Sequence, residues 1–218
     1  MESAVQKFEA LLRDGLGQLG LSLGDQQLAD LLQYLGLIQK WNKVYNLTAV
    51  RDPEQMLKLH LLDSLAVVLP LARQMGEGPW SLLDVGSGAG LPGVVIAICL
   101  PQAQVTCADA VAKKAAFIQQ VAATLQLSRL QGLHARVETL PGRFDVICSR
   151  AFASLADFVA LSEGALAAHG VWMAMKGKFP QEEVDALPPQ VQVFHVEQLQ
   201  VPQLEADRCI VWMKRVAA

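Results

Sequence analysis

The fold is decided by one stretch, Trp80-Ser81-Leu82-Leu83-Asp84-Val85-Gly86-Ser87-Gly88-Ala89-Gly90-Leu91-Pro92-Gly93. A short apolar run (Leu82, Leu83, Val85) stops at Gly86, Gly88 and Gly90, and Pro92 precedes the apolar segment Val94 to Leu100. The pattern predicts a buried strand, a tight glycine turn, and a helix opened by proline at its first position. Glycines at such a turn accept positive φ and let a ligand approach main-chain N–H groups without a Cβ in the way. The turn is suited to cradle a small molecule.

Two spacings fit that turn. Gly88-Ala89-Gly90-Leu91-Pro92-Gly93 satisfies the dinucleotide fingerprint G-x-G-x-x-G, with Asp109 at the separation expected of a ribose-binding acid. In that reading the chain is a nicotinamide-dependent oxidoreductase. Alternatively, Asp84 to Gly90 reads D-x-G-x-G-x-G, the pattern of S-adenosylmethionine-dependent methyltransferases. There the strand-end carboxylate Asp84 anchors the loop or meets the methionine ammonium, and Asp109 takes the ribose hydroxyls. The acid at Asp84 favours the second reading, because a carboxylate sits poorly beside a pyrophosphate and a sulfonium cofactor has no phosphate to repel.

The rest of the chain narrows the class. At 218 residues, with 52% hydrophobic and 18% charged residues, a compact globule with a substantial core is expected. No uninterrupted apolar run approaches the length of a membrane span. Glu2, Lys7, Glu9, Arg13 and Asp14 break up the N-terminus, which lacks the apolar core of a signal peptide, so a cytoplasmic location and no membrane partner are expected. Cys99, Cys107, Cys148 and Cys209 are scattered without C-x-x-C spacing and read as reduced core cysteines. No His, Cys and carboxylate cluster has metal-ligand spacing, so no metal is expected.

The net charge of −3 does not advertise a nucleic-acid protein, but its distribution is uneven. Residues 40 to 60 hold Lys40, Lys43, Arg51, Lys58 and His60 against Asp52 and Glu54. From Phe179 to Cys209 six acids face one base, Arg208. A basic part beside an acidic one is suited to place RNA on one face, and ordinary solvated helix surface has the same charges.

Residues 2 to 72 read as helical. Leu28, Leu31, Leu32, Leu35 and Ile38 recur at helical spacing, and Asp52-Pro53-Glu54-Gln55 is a helix start with a capping acid and proline at the first position. Gly76, Gly78 and Pro79 mark the link between an N-terminal helical extension, 1–75, and a core, 76–218, expected to form one compact unit. In the core, strands are predicted near 81–85, 104–108, 131–135, 144–149 and 171–175, with helices near 92–100, 111–126 and 154–168. Val191 to Val196 and Ile210 to Val216 form an alternating pair joined without a helix, which should add an antiparallel strand. Alternation of this kind implies an α/β fold, a mostly parallel sheet flanked by helices. Lys113 and Lys114 stand in the first turn of the 111–126 helix, where cations oppose the helix dipole.

Several segments together resemble the small-subunit ribosomal RNA methyltransferase G family, also called the glucose-inhibited division protein B family. They are Trp41-Asn42 with Asn46-Leu47-Thr48, His60 to Leu65, Leu83 to Gly93, Arg136-Val137-Glu138, Phe144 to Ala153, and Met175-Lys176-Gly177. They run in the family's order from about residue 25 to residue 215. The resemblance implies a Rossmann-like class I methyltransferase with an N-terminal helical extension. It implies methyl transfer from S-adenosylmethionine to N7 of one guanine in the decoding region of 16S ribosomal RNA, on the small ribosomal subunit or its RNA, by a monomer.

The resemblance carries over positions as well. Asp84, Gly86, Gly88, Gly90 and Leu91 belong to the cofactor turn, Asp109 to the ribose, Val137 and Glu138 to the adenine side, and Arg150 to the lining of the active site. Arg150 is expected to contact the cofactor and to position substrate. Lys43, Asn46, Arg51, Lys113 and Lys176 are candidates for RNA contact. The family often has Asp-Ser after the second strand where this chain has Asp109-Ala110, so a hydroxyl is lost and the carboxylate kept. Guanine N7 presents an in-plane lone pair and bears no proton, so no general base is expected. A non-catalytic ribosome-binding module would share that absence.

Overall fold

The computed structural model describes residues 4–140 and 142–216; residues 1–3 of the expected extension lie outside them. The chain opens with α1 (Ala4–Leu19) and α2 (Asp25–Tyr45), then a long helix over Pro53–Met75. α2 buries Leu28, Leu31, Leu35 and Ile38, and adds Tyr34 to that stripe. The Asp52 carboxylate accepts the Gln55 amide at 2.8 Å, with Pro53 at the first helical position. The long helix is not regular: Leu57–Leu62 form a π-turn, a feature common at functional sites. By length and apolarity the helix resembles a membrane span, but most of it is buried inside the protein as core.

Seven strands form one sheet: β1 (Trp80–Val85), β2 (Ala103–Asp109), β3 (Leu130–His134), β4 (Phe144–Arg150), β5 (Leu166–Lys176), β6 (Val191–Leu199) and β7 (Arg208–Arg215). Their order is β3-β2-β1-β4-β5-β7-β6. Neighbours among β1 to β5 are parallel, joined by helical crossovers that include Gly93–Cys99, Ala112–Thr124 and Leu155–Ser162. β7 runs antiparallel to β5, and β6 pairs antiparallel with β7 at the edge. This is the mostly parallel α/β sheet expected, with its antiparallel C-terminal addition.

Several boundaries differ from expectation, and the N-terminal part is not helical throughout, since residues 20–24 and 46–52 are connections between its helices. The helix predicted over 154–168 ends at Ser162, a 3-10 turn covers Glu163–Ala165, and β5 begins at Leu166. Pairing of Leu166 with Phe144 draws this alanine-rich segment into the sheet and overrides its helix propensity. Pro92 stands at the N-cap rather than in the first turn, and the Gly93 amide that follows, which has no acceptor within the helix, donates to Asp84. A short helix, Gln181–Asp185, lies in a stretch that carries no motif.

Buried side chains of the N-terminal helices (Leu12, Leu31, Leu57, Leu61) share one cluster with Val94, Ile98, Val105 and Phe117. The opposite face holds a second cluster around Leu83, Ile147, Phe158, Trp172 and Met213. Each fully buried leucine contributes ~1.5–3 kcal/mol relative to exposure. The helical extension is thus seated on the sheet face that carries the Gly93–Cys99 helix, directly behind the glycine turn.

Candidate functional site

The strand order reverses at β1, and open α/β sheets bind ligands beyond the carboxyl ends of their strands at such a switch point. The glycine turn stands there. Gly86, Gly88 and Gly90 have φ of 64°, 60° and 88°, the left-handed region that only glycine enters cheaply. A Cβ at Gly86 would stand 2.8 Å from the Phe152 ring, whereas one at Gly88 would meet nothing within 4 Å. Phe152 reaches Gly86 because Ala151 turns the chain at φ 52° as it leaves β4.

The turn is held from below and behind. Asp84 is fully buried, and its Oδ2 accepts the Gly93 amide at 2.8 Å, fixing the end of β1 to the start of the helix. In the sheet register Asp84 lies beside Cys107 of β2 and Cys148 of β4. Burial pushes its pKa up from 3.8 to about 7, against the lowering influence of the Gly93 amide and Arg150. From behind, the buried Tyr34 hydroxyl donates to the Ala89 carbonyl at 2.6 Å, and Gln27 donates to the Ile98 carbonyl at 2.9 Å. Asp109 receives the Gly88 amide at 3.0 Å and the Val111 amide at 2.8 Å, and Lys114 lies 3.6 Å from it. One of the two first-turn lysines therefore has the protein's own carboxylate as its anion.

Two cavities open on this turn and share Gly86. One, of about 340 Å³, is lined by Gly86, Asp109, Ala110, Val137, Glu138 and Phe152, among others. The other, of about 620 Å³, runs past Gly86, Gly88 and Leu91 to Thr48, Leu59, His60, Asp63, Arg150, Met175, Lys176 and Arg208. In the larger cavity Arg150 donates to Asp63 at 2.9 Å and to the Leu59 carbonyl in the π-turn at 2.8 Å. Arg208 donates to the other Asp63 oxygen at 2.7 Å. One buried carboxylate thus joins two guanidinium groups, so the wall carries net positive charge. His60 Nε2 lies 2.9 Å from the Thr48 hydroxyl, and burial together with Arg150 lowers the pKa of His60. Lys176 pairs with Glu183 at 2.7 Å.

A family model described as rRNA small subunit methyltransferase G matches residues 27–211. The chain belongs to this family. It is 63% identical over 218 residues to the ribosomal RNA small subunit methyltransferase G of Acidovorax sp. (strain JS42), covering 96% of each chain. It is 67% identical over 207 residues to the protein of the same name from Polaromonas sp. (strain JS666 / ATCC BAA-500), covering 93% of this chain and 92% of that one. Among solved structures, TrmN from Thermus thermophilus superposes with a TM-score of 0.56 at 20% identity, over 69% of this chain and 48% of that one. A putative S-adenosylmethionine-dependent methyltransferase from Methanococcus maripaludis gives 0.55 at 15% identity, over 76% and 90%. At such identities the likeness concerns the fold alone, a class I methyltransferase sheet.

Membership in the methyltransferase G family settles the choice between the two glycine spacings, and the geometry gives the reason. A pyrophosphate would need the helix N-terminus, but the Gly93 amide is occupied by a buried carboxylate there. Of the expected site residues, Gly86, Gly88, Leu91, Arg150 and Lys176 line the larger cavity, and Gly86, Asp109, Val137 and Glu138 the smaller. Asp84 and Gly90 line neither cavity; of the two roles open to Asp84, the geometry supports the anchor. Arg150 lines only the larger. Lys43, Asn46 and Arg51 stand on the exposed segment leading to Leu47 and Thr48 of the cavity wall, and Lys113 is exposed on its helix. Four participants are given no site role by the sequence: Tyr34 within a leucine stripe, Phe152 inside the Phe144 to Ala153 segment, the π-turn carbonyl of Leu59, and Arg208, which reads only as the one base of an acidic tract. Among the described residues no group of three or more His, Cys, Asp or Glu is placed to hold a metal, and the four cysteines are free and buried.

Proposed function

We propose that this chain transfers a methyl group from S-adenosylmethionine to N7 of one guanine in the decoding region of 16S ribosomal RNA, working as a cytoplasmic monomer on the small subunit or its RNA. The observation that carries this reading is the pair of cavities that share Gly86, one offering Asp109, Glu138 and the apolar Val137, the other walled by Arg150 and Arg208. When bound, the cofactor supplies an electrophilic methyl group on a sulfonium. The residues fit it: in the smaller cavity Asp109 and Glu138 offer acceptors to ribose and base and Val137 an apolar contact, and on the wall of the larger one Gly88 faces open space where a Cβ would intrude. Gly86 belongs to the walls of both cavities, and Leu91 to that of the larger.

Arg150 and Arg208 then face the substrate from the larger cavity. A planar guanidinium suits guanine O6 or a phosphate oxygen, and the Asp63 carboxylate and Leu59 carbonyl fix the Arg150 fork in one orientation. N7 carries a lone pair and no proton, so the residues need only hold nitrogen, methyl carbon and the departing thioether sulfur in line and exclude water. Such positioning lowers a barrier by on the order of several kcal/mol. Residues 1–75 act in this reading as a brace behind the turn, through Tyr34 and the π-turn, and residues 76–218 as the catalytic core. Incubation with radiolabelled cofactor and small subunits lacking the modification tests the proposal: label at N7 of a single decoding-region guanine supports it, and absence of label or label at another base overturns it.

A further inference from the structure

We infer that the C-terminal turn of α2 and the segment after it form a docking surface for single-stranded RNA, with Tyr45 as a stacking platform and Lys40, Lys43 and Arg51 as phosphate contacts. The inference rests on the RNA substrate proposed above and extends its binding beyond the catalytic cavity. Trp41 and Tyr45 stand one helical turn apart, and the sequence favours both as core. The structure separates them. Trp41 is half-buried and packs on Phe117 with ring centroids 5.3 Å apart. Tyr45 lies outward of it, 41% exposed, its ring 5.0 Å from that of Trp41 and tilted by 38°. The neighbouring Val44 is 69% exposed. An aromatic ring seated on a buried tryptophan offers a rigid face at low entropic cost, the arrangement on which unstacked bases are held.

The charges around it point the same way. Lys7, Arg13, Lys58, Arg73, Lys114, Arg150, Lys176, Arg208 and Arg215 each have a carboxylate within 4 Å. Lys40, Lys43 and Arg51 have none among the described residues, as is also true of Lys113, Arg129, Arg136, Arg143, Lys178 and Lys214, but these three exposed cations are the ones that lie within six residues of Tyr45 in the chain. Arg51 is tied instead to the neutral side chain of Asn46, at 2.6 Å. Asn46 sits in the left-handed conformation that ends α2. Asp52, the next residue in the chain, accepts the Gln55 amide on its Oδ1. None of the three is held in an ion pair, so each is available to a phosphate. Thr48 ties this surface to the active cavity: its amide donates to Asn42 at 2.9 Å and its hydroxyl meets His60. A strand whose target guanine enters the larger cavity past Thr48 would lay its flanking nucleotides across Tyr45.

Binding to small ribosomal subunits and to protein-free 16S rRNA is measured by filter retention for the wild type, Tyr45→Ala, Tyr45→Phe, and Lys40→Ala/Lys43→Ala/Arg51→Ala. Calorimetry with S-adenosylmethionine checks that each variant keeps its cofactor site. The expectation is at least fivefold weaker RNA binding for Tyr45→Ala with recovery in Tyr45→Phe. The triple variant should bind at least tenfold weaker near 0.15 M salt, with a shallower dependence of affinity on salt. Unchanged affinity and salt slope in both would overturn the surface. Weakening on the particle with none on protein-free RNA would overturn the RNA assignment in favour of a protein contact. Methyl incorporation by the wild type is scored separately. Its absence defeats the proposed activity while the binding results still decide the surface.

Discussion

Asp84 Oδ2 accepts the amide of Gly93 at 2.8 Å across the whole glycine turn, and no atom of Asp84 reaches solvent. A buried carboxylate at a helix N-terminus gains from the helix dipole and loses more by desolvation. Among the described residues no N–H or O–H group is placed to donate to its Oδ1, and the Cys148 thiol beside the carboxylate offsets burial only in part. The pKa near 7 therefore ties the geometry of the turn to pH.

Replacement Asp84→Asn keeps an acceptor for Gly93 and removes the titration. The folded-state pKa lies above the unfolded value of 3.8, so between pH 4 and 7 the native state holds the proton more tightly. Stability then falls as pH rises through that window, by about 1.4 kcal/mol per pH unit. Urea unfolding at pH 5 and pH 8 should show the wild type losing stability relative to Asp84→Asn as pH rises. A pH-independent difference would contradict the placement of the charge.

Gly86 and Gly88 share a left-handed backbone but not their surroundings. Gly86→Ala should destabilise by ~2–4 kcal/mol, combining backbone strain with a Cβ driven into the Phe152 ring. Gly88→Ala meets no protein atom, so its stability cost should stay near ~1–2 kcal/mol. Its methyl group enters the cleft, and cofactor affinity should fall at least tenfold. Thermal unfolding with and without S-adenosylmethionine separates the two effects.

Much of this was legible because glycine and proline have few structural uses. Gly86 to Gly93 announces strand, turn and helix, and Leu28 to Ile38 announces the stripe of α2. Local reading failed where distant partners decide. The Glu163 to Ala168 stretch has strong helix propensity, yet Leu166 is claimed by Phe144 across the sheet. The π-turn leaves no mark in the spacing of Met56, Leu59, Leu62 and Leu65. Arg208 meets Asp63 only because β7 inserts beside β5, 145 residues later in the chain. Tyr34 looks like one more apolar position until its hydroxyl is seen on the Ala89 carbonyl.

Tyr34→Phe tests whether the helical extension braces the turn. It deletes one buried hydroxyl and strands the Ala89 carbonyl, at a cost of ~1–3 kcal/mol. Cofactor affinity should drop severalfold although Tyr34 lines neither cavity. Unaltered affinity, read by calorimetry, would reduce Tyr34 to a stability residue.

Asp63→Asn leaves two guanidinium groups without their shared anion. Removing one partner of a buried pair costs ~3–5 kcal/mol, and partial exposure of Arg150 and Arg208 places this case at the lower end. Arg150→Lys keeps the charge and loses the planar fork. It should cut kcat/KM for RNA at least tenfold while cofactor affinity stays within about threefold. Equal losses in both would move Arg150 from substrate positioning to cofactor binding.

The central claim is that the main chain from Gly86 to Gly90 receives a sulfonium methyl donor. Titration calorimetry of the purified protein with S-adenosylmethionine tests it most directly. Saturable one-to-one binding that Gly88→Ala weakens at least tenfold is the predicted result. No heat at saturating cofactor, or undiminished binding to Gly88→Ala, would contradict it.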